Sequence, residues 1–410
     1  MFFNNSYFLL KMMVLVLVLG TASCKKNQQK RTNDVTQKND TIVKTIVTGA
    51  NQTEKYSSLL ANKRVAIVAN HTSVIYKNDE DKITHLVDSL QALNINIVKV
   101  FAPEHGFRGN VLGGTNIMDN IDKKTGIAIK SVYGKYQKPS SESLVDVDII
   151  LFDIQDVGVR FYTYISTMSN VMEAAAENNI PVIVLDRPNP NGHIVDGPML
   201  EIEYKSFVGM HPVPLVYGLT IGEYALMVNG EKWLKDSVQC NLTVVPLKHY
   251  THNSQYHLPI RPSPNLPNDK SINLYASLGF FEGTIINEGR GTEFQFQRYG
   301  APFFPETDFS YVPKSNSAYK NPKFEGQLCY GVNLENTENL NIVDISFLID
   351  AYKKTPRDKK FFTKNFTRLA GNRILRKQIE ERMKAEEIRK TWQKDIEKFK
   401  KIREKYLLYE

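Results

Sequence analysis

Residues Ile97–Gly109 read I-V-K-V-F-A-P-E-H-G-F-R-G. The stretch opens as a buried strand, with Val98, Val100 and Phe101 apolar, and breaks at Pro103. Beyond the break it delivers Glu104, His105 and Arg108 into a loop with Gly106 and Gly109. In an open α/β sheet, ligands collect outside the carboxyl ends of the strands. An acid, an imidazole and a guanidinium gathered there, with glycines that let a ligand approach, point to a site. The competing reading is a turn whose charges are merely solvated, but Lys or Ser would serve a plain turn equally well.

Three further runs repeat this pattern. Arg64–Asn70 (R-V-A-I-V-A-N) is continuously apolar, as suits a parallel strand buried on both faces, and leads into Asn70-His71-Thr72-Ser73. Asp148–Asp153 (D-I-I-L-F-D) delivers Asp153, Gln155, Asp156, Arg160, Tyr162 and Tyr164. Ile180–Leu185 runs into Asp186-Arg187-Pro188-Asn189-Pro190. Ile83–Leu93 has helical spacing, with Ile83, Leu86, Val87, Leu90 and Leu93 on one face and His85 off it, exposed. Strand, helix, strand with short links makes a βαβ unit, right-handed by default. Any one polar cluster could be a capped turn. Four of them on one edge of a parallel sheet are hard to explain as accident. There is no G-x-G-x-x-G and no phosphate loop, so the sheet need not bind a dinucleotide.

The N-terminus reads as a targeting segment. Lys11 precedes the apolar run Met12–Gly20, too short to span a membrane, and Thr21-Ala22-Ser23 leads to Cys24. A small-residue run ending in Cys resembles a bacterial lipobox, although Thr21 stands where Leu is usual. Residues 1–24 are therefore expected to be a lipoprotein signal, with Cys24 lipidated. The chain would be exported and anchored by lipid to a membrane, facing the periplasm. Residues 25–55, polar and rich in Lys, Asn, Gln and Thr, are expected to form a tether. The formal charge of +8 is spread out, with no basic stripe interleaved with aromatics, which argues against nucleic acid. Cys240 and Cys329 are expected to be free and buried, and no zinc site is supported.

After Gly192 the texture changes and prolines become frequent. Ile221–Val228 predicts a short helix behind Thr220 as its N-cap, and Asn241–Pro246 a strand. Residues 257–268 (H-L-P-I-R-P-S-P-N-L-P-N) must be extended, because proline interrupts both helix and central strand. Residues 358–370 and 385–409 predict helices with a solvated charged face.

Taken together, eight motifs resemble the exo-β-N-acetylmuramidases of the NamZ type. They are N-H-T (70–72), A-P-E-H-G-F-R-G (102–109), F-D-I-Q-D-V-G-V-R-F-Y-T-Y (152–164), L-D-R-P-N-P (185–190), D-G-P (196–198), P-S-P-N-L-P (262–267), F-E-G-T (281–284) and G-R-G-T (289–292). The resemblance runs from about Tyr56 to the C-terminus. It implies an α/β fold, with a Rossmann-like parallel-sheet domain at 56–195. A smaller α+β C-terminal domain at 196–410 would complete the cleft. The implied activity is release of N-acetylmuramic acid from the non-reducing end of peptidoglycan fragments, with disaccharides or short glycans as substrates. No cofactor or metal is implied. The chain departs from the pattern at Glu288, where the family often carries an apolar or small residue. That favours Glu282 as the functional acid of the two.

Glycoside hydrolysis usually needs two carboxyl groups, one protonated as acid and the other a base or nucleophile. The catalytic candidates are Glu104, Asp156 and Glu282, with Glu104 preferred as acid/base. A salt bridge to Arg108 is the plain alternative for Glu104. Asp153 and Asp156 share one loop; either could cap the following helix or pair with Arg160. Because N-acetylmuramic acid carries a lactyl carboxylate, an arginine clamp is expected from Arg160, Arg187 or Arg290. The remaining substrate-binding candidates are Asn70, His71, His105, Arg108, Asp153, Tyr162, Tyr164, Asp186 and Asn189. The competing hypothesis is a lipoprotein that binds muropeptides without cleaving them.

Overall fold

Seven segments line up in one sheet, in the order Leu242–Val245, Val182–Leu185, Ile149–Asp153, Val65–Ala69, Ile97–Ala102, Ala128–Ser131 and Asn120–Ile121. Every pairing is parallel except the last, where Asn120–Ile121 runs antiparallel at the edge. The computed structural model describes residues 45–76, 83–109 and 118–410. The expected signal segment with Cys24, most of the expected tether, and Gly113-Gly114 lie outside the described residues.

The four apolar runs became the four central strands because each is buried on both faces. Alternate side chains feed two cores. Ala66, Val68, Ile150 and Phe152 point into one, with helices Tyr164–Glu177 and Ile221–Gly230. Val65, Ile67, Ala69 and Leu151 point into the other, against Tyr56, Leu60, Leu86 and Leu90 of helices Thr53–Leu60 and Leu86–Ala92. Strand order reverses between Val65–Ala69 and Ile149–Asp153. The crevice at such a reversal is where open α/β sheets bind ligands.

The structure corrects the sequence at several points. The helix expected from Ile83 starts at Leu86, because Ile83–His85 pairs instead with Val74–Tyr76. His85 is not merely exposed: its Nδ1 accepts from Val87 N at 3.2 Å and caps the helix, while Nε2 meets Asn70 O at 2.9 Å. Of 358–370, only Phe366–Ala370 is helical. The boundary at 195 cuts through the sheet, whose outer strand is Leu242–Val245. Lys44–Glu410 is one compact unit. The tether ends earlier than residue 55. Val47 bridges to Lys248, and Gly49 N donates to Asp186 O at 2.9 Å. A Cβ on Gly49 would lie 2.6 Å from both Asp186 N and Val245 O, so only glycine fits there.

The C-terminal part holds a three-stranded antiparallel sheet, Arg298–Ala301, Cys329–Asn333 and Ser310–Tyr311, with helices Asp269–Leu278, Ser346–Lys354 and Ala385–Arg403. The last helix buries Ile388, Trp392, Ile396 and Phe399 and leaves its charges outside, as its spacing predicts. Trp392 and Arg389 reach back to Asp196, at 3.0 and 2.8 Å. Cys240 and Cys329 are free and buried, as expected.

Candidate active site

The strand Ile97–Ala102 ends at Pro103, and the chain turns sharply. His105 and Gly106 both take left-handed backbone, φ 69° and 77°, and Gly106 N bonds Pro103 O at 3.0 Å. The turn projects Glu104 into a cavity of about 470 Å³, lined also by His105, Tyr133, Tyr162, Thr163, Ser263, Asn265, Tyr275, Glu282, Arg290 and Tyr319. That volume suits a small ligand. A second cavity, of about 310 Å³, is lined by Asn191, Asn273, Asn339 and Asn341 and offers a single carboxylate, Asp269, already paired with His257.

Glu104 is held from two sides. Tyr133 Oη donates to Oε1 and Thr163 Oγ1 to Oε2, each at 2.8 Å. Tyr164 Oη donates to the Glu104 backbone carbonyl at 3.3 Å. Thr163 precedes helix Tyr164–Glu177, so the third strand's loop fixes the carboxylate of the second strand's loop.

Glu282 lines the same cavity from a short 3₁₀ turn, Gly279–Gly283. Burial pushes its carboxyl above the usual value; Arg290 opposes this, while Glu288 and Glu104 add repulsion. Arg290 Nη2 donates to Glu282 at 3.0 Å, and its Nε lies 3.6 Å from Glu288. Its guanidinium sits over the rings of Tyr319 and Phe296, at 4.7 and 5.2 Å. For Glu288 burial again pushes upward, but Lys323 and Arg290 outweigh it and hold the carboxyl below its usual range. Lys323 Nζ donates to Glu288 at 2.8 Å and also to Phe281 O and Ile286 O. Glu288 is thus tied into a salt-bridge network, and Glu282 is the acid that lines the cavity.

Of the candidates, Glu104, His105, Tyr162, Glu282 and Arg290 meet in the cavity. The others are placed elsewhere. Arg108 pairs with Asp88 at 2.9 Å and Asp122 at 2.8 Å, over the Phe107 ring, so it does not bridge to Glu104. Arg160 is fully buried and donates to four carbonyls, of Pro198, Val213, Leu369 and Ala370, at 2.7–3.1 Å. That makes it a tie between distant segments rather than a clamp or a partner of Asp153 or Asp156. Arg187 is spent on Asp153, in a buried bidentate pair at 2.6 and 2.8 Å, and on Val74 O.

Asp186 accepts from Arg187 N, Gly222 N, Thr220 Oγ1 and Tyr409 Oη, all within 2.6–2.9 Å. Asp156 accepts from Gly158 N at 2.8 Å and from Tyr217 Oη. Burial pushes both carboxyls up to about 6. Asn70 closes its own turn through Thr72, and Asn189 bonds Asn191 N and Leu219 O. His71 Nε2 meets Arg261 O at 2.8 Å. Tyr164 supports the Glu104 loop from below. These groups are internal scaffold.

Sequence reasoning missed Tyr133, Thr163, Ser263 and Asn265. Thr163 and the 262–267 motif stood inside recognised stretches, so the signal was present but read as connection. Tyr133 follows the short strand Ala128–Ser131, and nothing in its local sequence marks it. Among the described residues, no cluster of His, Cys, Asp and Glu could hold a metal ion.

Two carboxylates and an arginine around one cavity at the strand ends of an α/β sheet are what an α/β glycoside hydrolase requires. The family models for the N- and C-terminal parts of the exo-β-N-acetylmuramidase NamZ match residues 65–270 and 273–409. The chain belongs to that family. It is 40% identical over 376 residues to the peptidoglycan β-N-acetylmuramidase NamZ of Bacillus subtilis, covering 86% of this chain and 89% of that protein. Two crystal structures of DUF1343 family proteins from Bacteroides fragilis share the fold. One has a TM-score of 0.82 and 46% identity, over 90% of this chain and 99% of the other. The second has a TM-score of 0.76 and 31% identity, over 89% and 99%. The two family models meet near residue 271, after the outer strand of the sheet, rather than at 195.

Proposed function

We propose that the chain is a glycoside hydrolase, an exo-β-N-acetylmuramidase that removes N-acetylmuramic acid from the non-reducing end of peptidoglycan fragments. The observation that carries this reading is the shared cavity of Glu104, Glu282 and Arg290. In this reading Glu104 is the acid/base, oriented by Tyr133 and Thr163, and Glu282 supplies the second carboxylate. Burial raises the Glu282 carboxyl while Arg290 steadies its charge, so the two carboxylates sit in different environments. Arg290 also offers a guanidinium to the lactyl carboxylate. Incubation with a chromogenic β-N-acetylmuramide tests the activity. Hydrolysis by the wild type is expected; binding without release would favour the non-catalytic muropeptide-binding alternative.

The N-terminal sequence supports export and a lipid anchor at Cys24, with the enzyme held on a membrane and facing the periplasm. Palmitate labelling of the expressed chain should mark the wild type and leave Cys24→Ser unlabelled. Equal labelling of both would remove the anchor from Cys24.

A further inference from the structure

The proline-rich segment is pinned where two strand-end clusters meet it. Tyr162 Oη donates to Pro262 O at 2.6 Å, and His71 Nε2 meets Arg261 O at 2.8 Å. A carbonyl can only accept, so the His71 ring presents Nε2–H to it. Leu266 is buried beneath, and its N–H closes the turn onto Ser263 O at 3.1 Å. Two residues expected to touch substrate therefore hold a segment that lines the cavity. That segment presents Ser263 and Asn265, only 4% and 5% exposed.

Their hydrogen bonding is incomplete in a specific way. Asn265 N donates to Ser263 Oγ at 3.0 Å, so this hydroxyl already accepts and its own hydrogen is left to donate. Asn265 Oδ1 is buried and has no partner among the described residues. A buried acceptor without a donor is costly, and native proteins retain few of them without a reason. One donor beside one acceptor is the complement of a secondary amide, which carries a carbonyl and an N–H.

We infer that Ser263 and Asn265 read the 2-acetamido group of the sugar, Ser263 donating to the acetyl carbonyl and Asn265 Oδ1 accepting the amide N–H. This rests on the function proposed above. In N-acetylmuramic acid the acetamido group on C2 adjoins the lactyl ether on C3. Arg290 lines the same cavity, so one wall meets the amide while the guanidinium meets the acid.

Asn265→Leu keeps the volume and removes the acceptor. The test compares two chromogenic β-glycosides with one leaving group, N-acetylmuramic acid and its 2-deoxy counterpart, each corrected for spontaneous hydrolysis. Asn265→Leu should lower kcat/KM on the acetamido substrate about tenfold to a hundredfold and leave the 2-deoxy substrate nearly unchanged. Asn265→Asp, which keeps Oδ1, should retain most of the preference. Equal losses on both substrates would overturn the assignment and leave the segment a structural role. If Asn265→Leu does not fold, Ser263→Ala must show the same selective loss, or the inference fails. Calorimetry with the free monosaccharides separates this inference from the activity. A wild type that hydrolyses no muramide yet binds N-acetylmuramic acid more tightly than the 2-deoxy sugar keeps the reader and loses the reaction. Hydrolysis with no acetamido preference does the reverse.

Discussion

Glu104 carries its chemistry through the two hydroxyls that fix it. With Tyr133 on one oxygen and Thr163 on the other, the carboxyl has one orientation toward the cavity. Glu104→Gln keeps shape and hydrogen bonding, so the fold should persist. Turnover should fall by about 10²–10⁴-fold, the usual worth of general acid–base catalysis. The loss should shrink on substrates whose leaving groups need little protonation; a loss independent of leaving group would make Glu104 a sugar-positioning residue instead. Arg290 invites a parallel measurement. Arg290→Lys gives up the planar fork, and each lost charge-assisted bond is worth about 1.5–3 kcal/mol. Muramides should suffer far more than glucosaminides, and equal losses would take the clamp away from Arg290. Asp156 makes the opposite case. Its folded proton affinity is raised to about 6 by burial, above the ordinary 3.8. Its stabilising contribution is therefore complete below about 4 and lost as pH rises through 6. Asp156→Asn should flatten the fall in melting temperature between about pH 4 and 6, with hydrolysis kept within a few-fold. A drop of 10² or more in rate with the fold intact would return Asp156 to the catalytic set.

At the scale of elements, the four polar strand ends were legible because continuous apolar runs followed by charged loops have few other solutions in an open parallel sheet. Which residues of those loops face the ligand was not legible. Arg160, Arg187, Asp153 and Asp186 look from sequence like a binding set, yet their partners lie far along the chain or in other loops. Nothing local distinguishes an arginine that meets a substrate carboxylate from one that ties four backbone carbonyls together. Ile83–Leu93 failed for a related reason: helical spacing was overridden by pairing with Val74–Tyr76. The Arg160 tie makes its own prediction. It joins the segments at Pro198 and Val213 to the end of helix Phe366–Ala370, wholly out of water. Arg160→Lys cannot reach four carbonyls, so the melting temperature should drop by several degrees while KM of the surviving enzyme stays near the wild-type value. A changed KM at unchanged stability would put Arg160 back at the substrate.

Over the whole molecule, both ends of the folded unit close on the same edge of the sheet. Near the start, Val47 pairs with Lys248, Gly49 N bonds Asp186 O, and Gln52 Nε2 donates to Pro246 O at 2.6 Å. At the end, Tyr409 Oη donates to Asp186 at 2.6 Å, while His252 N donates to Glu410 O at 2.7 Å. Composition alone suggested a polar tether through residue 55, because Thr48, Asn51 and Gln52 resemble their polar neighbours. Burial of Thr48 and Gln52 comes from strands some two hundred residues later, which no local pattern reveals. Asp186, which both ends contact, also holds the start of helix Ile221–Gly230 through Thr220 and Gly222. Two truncations separate tether from fold. A chain beginning at Lys44 keeps every one of these contacts and should be soluble, active and as stable as a chain beginning at Lys25. A chain beginning at Thr53 loses the Val47 bridge, the Gly49 bond and the Gln52 bond together. Hydrogen bonds net about 0.5–1.5 kcal/mol each, so it should lose about 2–4 kcal/mol of stability and unfold at lower urea. Equal midpoints for the two truncations would show that residues 45–52 only rest on the sheet and contribute nothing to holding it.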